Sequence, residues 1–192
     1  MQKSLKRICV FCGSSMGKNE EYALKANELG QVLATSGIEL IYGAGNVGLM
    51  GEIARSVLEN KGRVIGIIPK KIYEKVEHID LSGLHVVEGM HERKAKMYES
   101  AEGFIAMPGG IGTIEELSEV FTWQQLGYHC KPVGVLNISG FFDQFLSFAD
   151  HMVNEGFLSS KHRDMLLVEE EPAKLVERLK NYRSEYCDKW NK

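Results

Sequence analysis

An α/β fold with a doubly wound parallel sheet, in a single domain over residues 1–192, is what this sequence predicts. Three observations carry the prediction. Short apolar runs recur along the chain, each the length of a buried strand. Stretches with helical spacing of apolar residues separate them, and such alternation builds parallel sheets. Glycine-containing turns stand where strand hands over to helix, at 12–15, 43–51 and 109–112. The length suits one domain with its own core.

Taken in order, RICVF at 7–11 reads as the first strand. It ends in Cys12-Gly13-Ser14-Ser15, a small polar turn at the carboxyl end of a strand, where α/β sheets bind ligands. Residues 19–35 carry a helix through Tyr22, Ala26, Leu29, Val32 and Leu33, closed by Gly37. ELIY at 39–42 is the second strand, and its glycine-rich loop leads into a helix ending near residue 60. RVIGII at 63–68 is the third strand, and residues 69–83 form a polar, irregular flap. LHVVE at 84–88 is a strand, followed by a helix from Met90 to near Ala101. GFIAM at 103–107 is a strand that Pro108 stops. Thr113 then opens a helix with Ile114, Leu117 and Val120 on one side. Strands at 131–137 and 166–168 bracket an aromatic-rich helix at 141–155. A last helix at 172–182 has Pro172 in its first turn.

Composition excludes several classes of function. The chain is 44% hydrophobic and 26% charged with net charge −3, so it has no strong positive field for nucleic acid or a membrane surface. The apolar runs are too short to span a bilayer, and the one near the N-terminus is too short for a secretory leader. A cytoplasmic location follows as an expectation. The cysteines are Cys9, Cys12, Cys130 and Cys187. Cys9-x-x-Cys12 lies within a strand, where residues i and i+3 point to opposite faces, and no second pair stands at ligand spacing. These are read as structural thiols of a reducing compartment, with no metal site.

Chemistry concentrates in two blocks. Gly109, Gly110, Ile111, Gly112 and Thr113 join a buried strand to a helix start, where glycines admit a ligand and free amides meet an anion. Glu116 has two readings. Thr113-Ile114-Glu115-Glu116 matches a capping box, which would make Glu116 a stabilising residue. The glycines before it, which a cap does not require, favour chemistry at a bound phosphate ester. Glu115, about 100° round the helix, is the solvent-facing member of the pair. The second block is MHERKAKM at 90–97. Met90 and Met97 place Arg93 near the buried side, where it needs a carboxylate or phosphate partner. The loop at 43–51 contains Gly43, Gly45 and Gly48 in GxGxxG spacing. It follows the second strand and lacks a suitably placed acidic residue, so a dinucleotide is not expected. A phosphate loop and tight glycine packing both stay open there. His129, His151 and His162 read as surface or core-edge residues.

The motifs MPGGIGTIEE at 107–116 and MHERKAKM at 90–97, with YGAGNVGLMG at 42–51 and FTWQQLGYHCKPVGVLN at 121–137, resemble those of the Lonely Guy family. The resemblance covers nearly the whole chain, which looks like a bacterial member; Ala44 departs from the glycine that many members carry. It implies a Rossmann-like homodimer that hydrolyses N6-substituted adenosine monophosphates, or AMP itself, to free base and ribose 5-phosphate. It also implies catalytic roles for Arg93 and Glu116, and substrate contacts from Arg93, Lys94, Gly109, Gly110, Ile111, Gly112, Thr113, Glu115, Glu116 and Thr122. No cofactor or metal is implied. The partner is a small nucleotide monophosphate rather than nucleic acid or membrane. The rival reading is a non-catalytic binder of a nucleotide-like or molybdenum cofactor. Amino-acid decarboxylation, a label often given to this family, would need a Schiff-base lysine; the lysines here stand mostly in charged settings.

Overall fold

The residues of the first strand divide between two cores. In β1 (Arg7–Phe11) and the residue after it, Ile8, Val10 and Cys12 pack on one face, while Cys9 and Phe11 pack on the other. The period-two alternation of a strand buried on both sides dictates this split. β2 (Glu39–Tyr42), β3 (Val64–Pro69), β4 (Gly83–Val87), β5 (Gly103–Ala106), β6 (Val133–Leu136) and β7 (Leu166–Glu169) extend the same sheet. All pairs are parallel, in the order β4-β3-β2-β1-β5-β6-β7, in the computed structural model, which describes residues 5–76 and 79–183.

One face is covered by α1 (Glu21–Thr35), α2 (Gly48–Glu59) and α8 (Pro172–Asn181), which contribute Leu29, Leu33, Ile53, Val57, Leu175 and Leu179. The other is covered by α4 (Met90–Ser100), α5 (Ile111–Gln125) and α6 (Asp143–Asn154), through Met97, Leu117, Val120 and Phe145. Each such side chain, when fully buried, contributes about 1.5–3 kcal/mol. The sheet therefore has helices on both faces, as the strand–helix alternation predicts.

Five details depart from the sequence reading. The flap contains one short helix, α3 (Lys70–Tyr73), and residues 77–78 of it lie outside the described residues. α7 (Ser160–Asp164) was not foreseen; it is capped by Ser159, whose side chain accepts from the His162 amide. The aromatic-rich helix starts later than expected, because Asn137 Oδ1 accepts from the Phe142 amide and shapes a 3-10 turn at Ile138–Gly140. His129 and His162 are buried rather than peripheral. His129 Nε2 donates to the Val120 carbonyl and its Nδ1 accepts from the Lys131 amide, and burial lowers its pKa to about 4, so it stays neutral. Cys9 and Cys12 are free and buried, as expected, whereas Cys130 is disulfide-bonded, which corrects its reading as a thiol, and Cys187 lies outside the described residues.

The two glycine-rich turns at the carboxyl end of the sheet are locked together by backbone. The Gly13 amide donates to the Pro108 carbonyl at 3.0 Å, and the Met50 amide donates to the Gly13 carbonyl at 3.3 Å. Gly48 has φ +61°, and a Cβ there would stand 2.3 Å from the Ser14 carbonyl carbon. Neither the dihedral nor the space admits a side chain. Gly48→Ala should therefore destabilise the protein by about 2–4 kcal/mol. Denaturant unfolding reads this directly, and a loss under about 0.5 kcal/mol would contradict the packing described.

Candidate active site

The strand order reverses at β1, so the loops after β1 and β5 diverge and leave a crevice at the carboxyl end of the sheet. Ligands of doubly wound sheets bind at such a switch point. Cys12–Ser15 borders the crevice from the β1 side, and the loop from Pro108 borders it from β5. The turns touch so closely that a Cβ on Gly109 would lie 2.8 Å from the Gly13 nitrogen and 2.2 Å from Thr113 Oγ1.

α5 begins at Ile111, with Gly110 at its N-cap. The Thr113 and Ile114 amides both return to the Gly110 carbonyl, at 3.1 and 3.3 Å. Thr113 is thus the third helical residue rather than the cap, and Glu116 sits in the second turn. This corrects the helix start expected at Thr113 and disposes of the capping box: the Thr-x-x-Glu spacing is present, but it begins three residues, just under one turn, past the N-cap. The amides of Ile111 and Gly112 have no partner within the helix. Around Gly110 and Gly112 a Cβ would meet no atom within 4 Å, so the space beside those two residues is open.

Arg93, on α4, is clamped from several sides. Its Nε donates to the Ile67 carbonyl at 3.2 Å, and its Nη1 donates to Glu116 Oε1 at 2.8 Å. A Cβ on Gly43 would fall 2.0 Å from its Nη2, so the absence of a side chain at Gly43 creates the seat. The two charged side chains are 13% and 14% exposed. Beside them, Lys94 Nζ donates to Glu115 Oε1 at 2.5 Å and to Glu119 Oε1 at 2.9 Å. Glu115 is 52% exposed, which agrees with its assignment as the outward member of the pair.

A cleft of about 340 Å³ brings together Arg93, Lys94, Gly110, Gly112, Thr113, Glu115 and Glu116. Gly109 lines an adjoining cavity of about 240 Å³, with Gly13, Ser14 and Tyr22. A third cavity, of about 490 Å³, is lined by Val47, Met50, Ile68, Ile72, Val76 and Met90, with Arg93 at its edge. Two expected residues stand apart. The Ile111 side chain is 86% exposed, leaving its amide as its means of contact. Thr122 is exposed and about 9 Å further along the helix axis than Glu116. Cys12, Gly13, Ser14, Met50 and Met90 line the cleft without having been assigned to it. The turn at 12–15 was legible as a ligand position; the two methionines carried no signal beyond their place in the motifs. Met90 was expected on the protein-facing stripe and is instead half exposed at the cleft.

Burial dominates the electrostatics of Glu116. It raises the carboxyl above the ordinary glutamate range, against the lowering effect of the Arg93 charge and hydrogen bond. Lys94 is pushed up by its hydrogen bonds to Glu115 and Glu119 and stays protonated. The Cys12 thiol is pushed up by burial and by the nearby Glu116 charge, which makes it a poor nucleophile. No group of three or more His, Cys, Asp or Glu side chains among the described residues is arranged to hold a metal ion.

Because its folded value lies above that of a free glutamate, folded Glu116 keeps its proton over a window where the unfolded chain has lost it. Stability from this group is present at the acid end and declines as pH rises through the folded value. Carbon-13 NMR titration of the Glu116 carboxyl should show a midpoint above the free-glutamate range. Arg93→Met should move it up by roughly one further unit or more, and an unmoved midpoint would refute the opposition of terms just given.

Comparison with known proteins gives a consistent picture. The family model described as possible lysine decarboxylase matches residues 50–179. The cytokinin riboside 5'-monophosphate phosphoribohydrolase LOG of Oryza sativa subsp. japonica is 47% identical over 182 residues, covering 94% of this chain and 75% of that protein. A cytokinin riboside 5'-monophosphate phosphoribohydrolase of Arabidopsis thaliana is 46% identical over 184 residues, covering 95% and 86%. Among solved structures, the molybdenum cofactor binding protein of Rippkaea orientalis aligns with TM-score 0.71 at 24% identity, covering 92% of this chain and 96% of that one. The molybdenum cofactor carrier protein of Chlamydomonas reinhardtii aligns with TM-score 0.71 at 23% identity, covering 93% and 99%. At such identities these two speak for the fold alone. No helix among the described residues is long and apolar enough to cross a membrane. On the extent of both sequence matches, the chain belongs to the family described as possible lysine decarboxylase, together with the cytokinin riboside 5'-monophosphate phosphoribohydrolases.

Proposed function

We propose that the protein hydrolyses the N-glycosidic bond of adenosine 5'-monophosphate or its N6-substituted forms, giving free base and ribose 5-phosphate. The observation that carries this reading is the Arg93–Glu116 pair, largely buried in a cleft whose rim is the open, amide-rich start of α5. The names of the relatives that share 44–47% of the sequence support the same chemistry.

Breaking a ribosyl C–N bond places positive charge on the sugar, in an oxocarbenium-like state that a nearby carboxylate stabilises. Glu116, in its ionised form, supplies that charge from a site poor in water, where it acts strongly. The bond's electron pair leaves with the base; water supplies a hydroxyl to C1' and a proton to the departing base. Arg93 fixes the Glu116 carboxylate and counteracts the burial that would protonate it. The phosphate, remote from the bond that breaks, anchors the sugar at the Ile111 and Gly112 amides and so orients the reacting carbon. The cavity of Val47, Met50, Ile68, Ile72, Val76 and Met90 offers apolar walls to the base and its substituent.

Decarboxylation, which the family description names, fits the site poorly. A pyridoxal phosphate enzyme needs a lysine amine free to form a Schiff base, and Lys94 is held protonated by two carboxylates. The resemblance also supports a homodimeric, cytoplasmic protein of bacterial origin, with Lys94 and Thr122 contacting substrate; sedimentation velocity checks the assembly.

Incubation with AMP and with N6-isopentenyl-AMP should release free base and ribose 5-phosphate, as separated by chromatography. Glu116→Gln should lower kcat at least 100-fold while the protein remains folded. Nucleotide that binds tightly and emerges intact would make the protein a carrier instead. Gly112→Ala fills open space at an early helix position, so it should preserve or slightly raise Tm. The same change should weaken nucleotide binding about tenfold or more, through the lost approach of phosphate to the amides. Unchanged binding would remove the phosphate from the start of α5.

A further inference from the structure

Three cavities meet at the carboxyl end of the sheet, and among the described residues Ser14 alone lines all of them. One contains the Arg93–Glu116 pair, one covers the Pro108–Gly110 turn, and one is the apolar cavity. Ser14 is exposed, so its hydroxyl is open to a ligand. Its backbone is held from two directions. The preceding residue, Gly13, is hydrogen-bonded to Pro108 and Met50. Gly48 presses on the Ser14–Ser15 peptide so closely that even a methyl group is excluded. A hydroxyl on so fixed a support is pre-organised, and its contact costs little ordering entropy.

This inference rests on the hydrolase reading above. With the phosphate at the start of α5 and the base in the apolar cavity, the sugar that joins them has to cross the junction of the cavities. Its C1' has to lie near Glu116 as it does so. We propose that Ser14 is the residue that recognises the ribose, hydrogen-bonding to a hydroxyl of its 2',3'-diol. The enzyme thereby selects ribonucleotides and sets the sugar's rotation relative to the Glu116 carboxylate. The hydroxyl can donate to or accept from the diol, so no charge or proton needs to change hands. A site built to bond a substrate hydroxyl rejects the analogue lacking it, because its own polar group is then left unpaired.

Ser14→Ala is the test, read with AMP, 2'-deoxy-AMP and 3'-deoxy-AMP. Wild-type and Ser14→Ala proteins are compared by kcat/KM on each substrate. Affinities for the same three nucleotides are measured calorimetrically in a Glu116→Gln background, where turnover does not consume them. The expected result is a loss of about tenfold or more on AMP, shrinking to within about threefold on one of the two deoxy analogues, with Ser14→Thr recovering part of it. Equal losses on all three nucleotides, or no loss on AMP, overturn the proposal. So does a loss that persists undiminished on both deoxy analogues, since that removes the sugar diol as the partner of Ser14. If wild-type protein releases no base from any nucleotide, the hydrolase reading falls. The calorimetric comparison then still decides whether Ser14 reads the sugar.

Discussion

The Arg93 guanidinium joins four parts of the chain at the carboxyl end of the sheet. It rises from α4, donates to the Ile67 carbonyl in β3, lies over Gly43 after β2, and ends on Glu116 in α5. An arginine suits this place because its planar fork serves several acceptors at fixed angles and keeps its charge under burial. Lysine carries its charge at one compact point on a flexible stem and lacks that fixed fork. A guanidinium this enclosed needs a carboxylate, and a carboxylate this enclosed needs a cation. The pair thus sets the distance between α4 and α5, and with it the width of the cleft.

That mutual need also shows in the Glu116 carboxyl, raised above the ordinary glutamate range by burial while its partner works against the rise. Desolvation is the larger effect and favours the proton; the adjacent guanidinium opposes it and is the smaller. A carboxylate buried without Arg93 would be pushed higher still. One in open water would be ionised but screened, with little leverage on a charge developing on a sugar. The observed position, mostly buried and paired, combines ionisable character with strong local electrostatics. Neighbouring charges are arranged to spare it: Lys94 is taken up by Glu115 and Glu119, and so neither competes for the Glu116 oxygens nor leaves Glu115 uncompensated.

Much of this was legible in the chain. Apolar runs gave every strand to within a residue or two; the inner strands, buried on both faces, leave a continuous apolar signature, while β4 at the edge of the sheet is mostly exposed. The need of Arg93 for an anion followed from its position between two methionines, and its partner was already the other residue of interest. The start of α5 was misplaced, since Thr113 is a better textual cap than Gly110 and sequence does not reveal that its hydroxyl packs against Gly109. α7 and the 3-10 turn at 138–140 were missed because each is held by a local side-chain bond, from Ser159 and Asn137, with no periodicity to detect. Ser14 was recognised as part of a ligand-facing turn, but its central place depends on how three loops converge, and one-dimensional spacing carries no such information.

The glycines of the two motifs, alike as text, do opposite work. Gly43, Gly45 and Gly48 are crowded by protein: a Cβ would strike Arg93, Met50 and the Ser14 backbone respectively. Their smallness lets parts of the chain approach one another, as the tight-packing reading of the second loop expects. Gly109 belongs with them, pressed against Gly13 and Thr113. Gly110 and Gly112 differ, for nothing stands where their side chains would be. Packing within the chain gives no reason for a bare backbone at either position, and in the helix Gly112 costs roughly 1 kcal/mol relative to alanine. Such a cost is explained when something outside the chain has to come close to the amides. The crowded glycines place the walls of the site, and the two uncrowded ones mark the side from which the ligand's anionic end arrives.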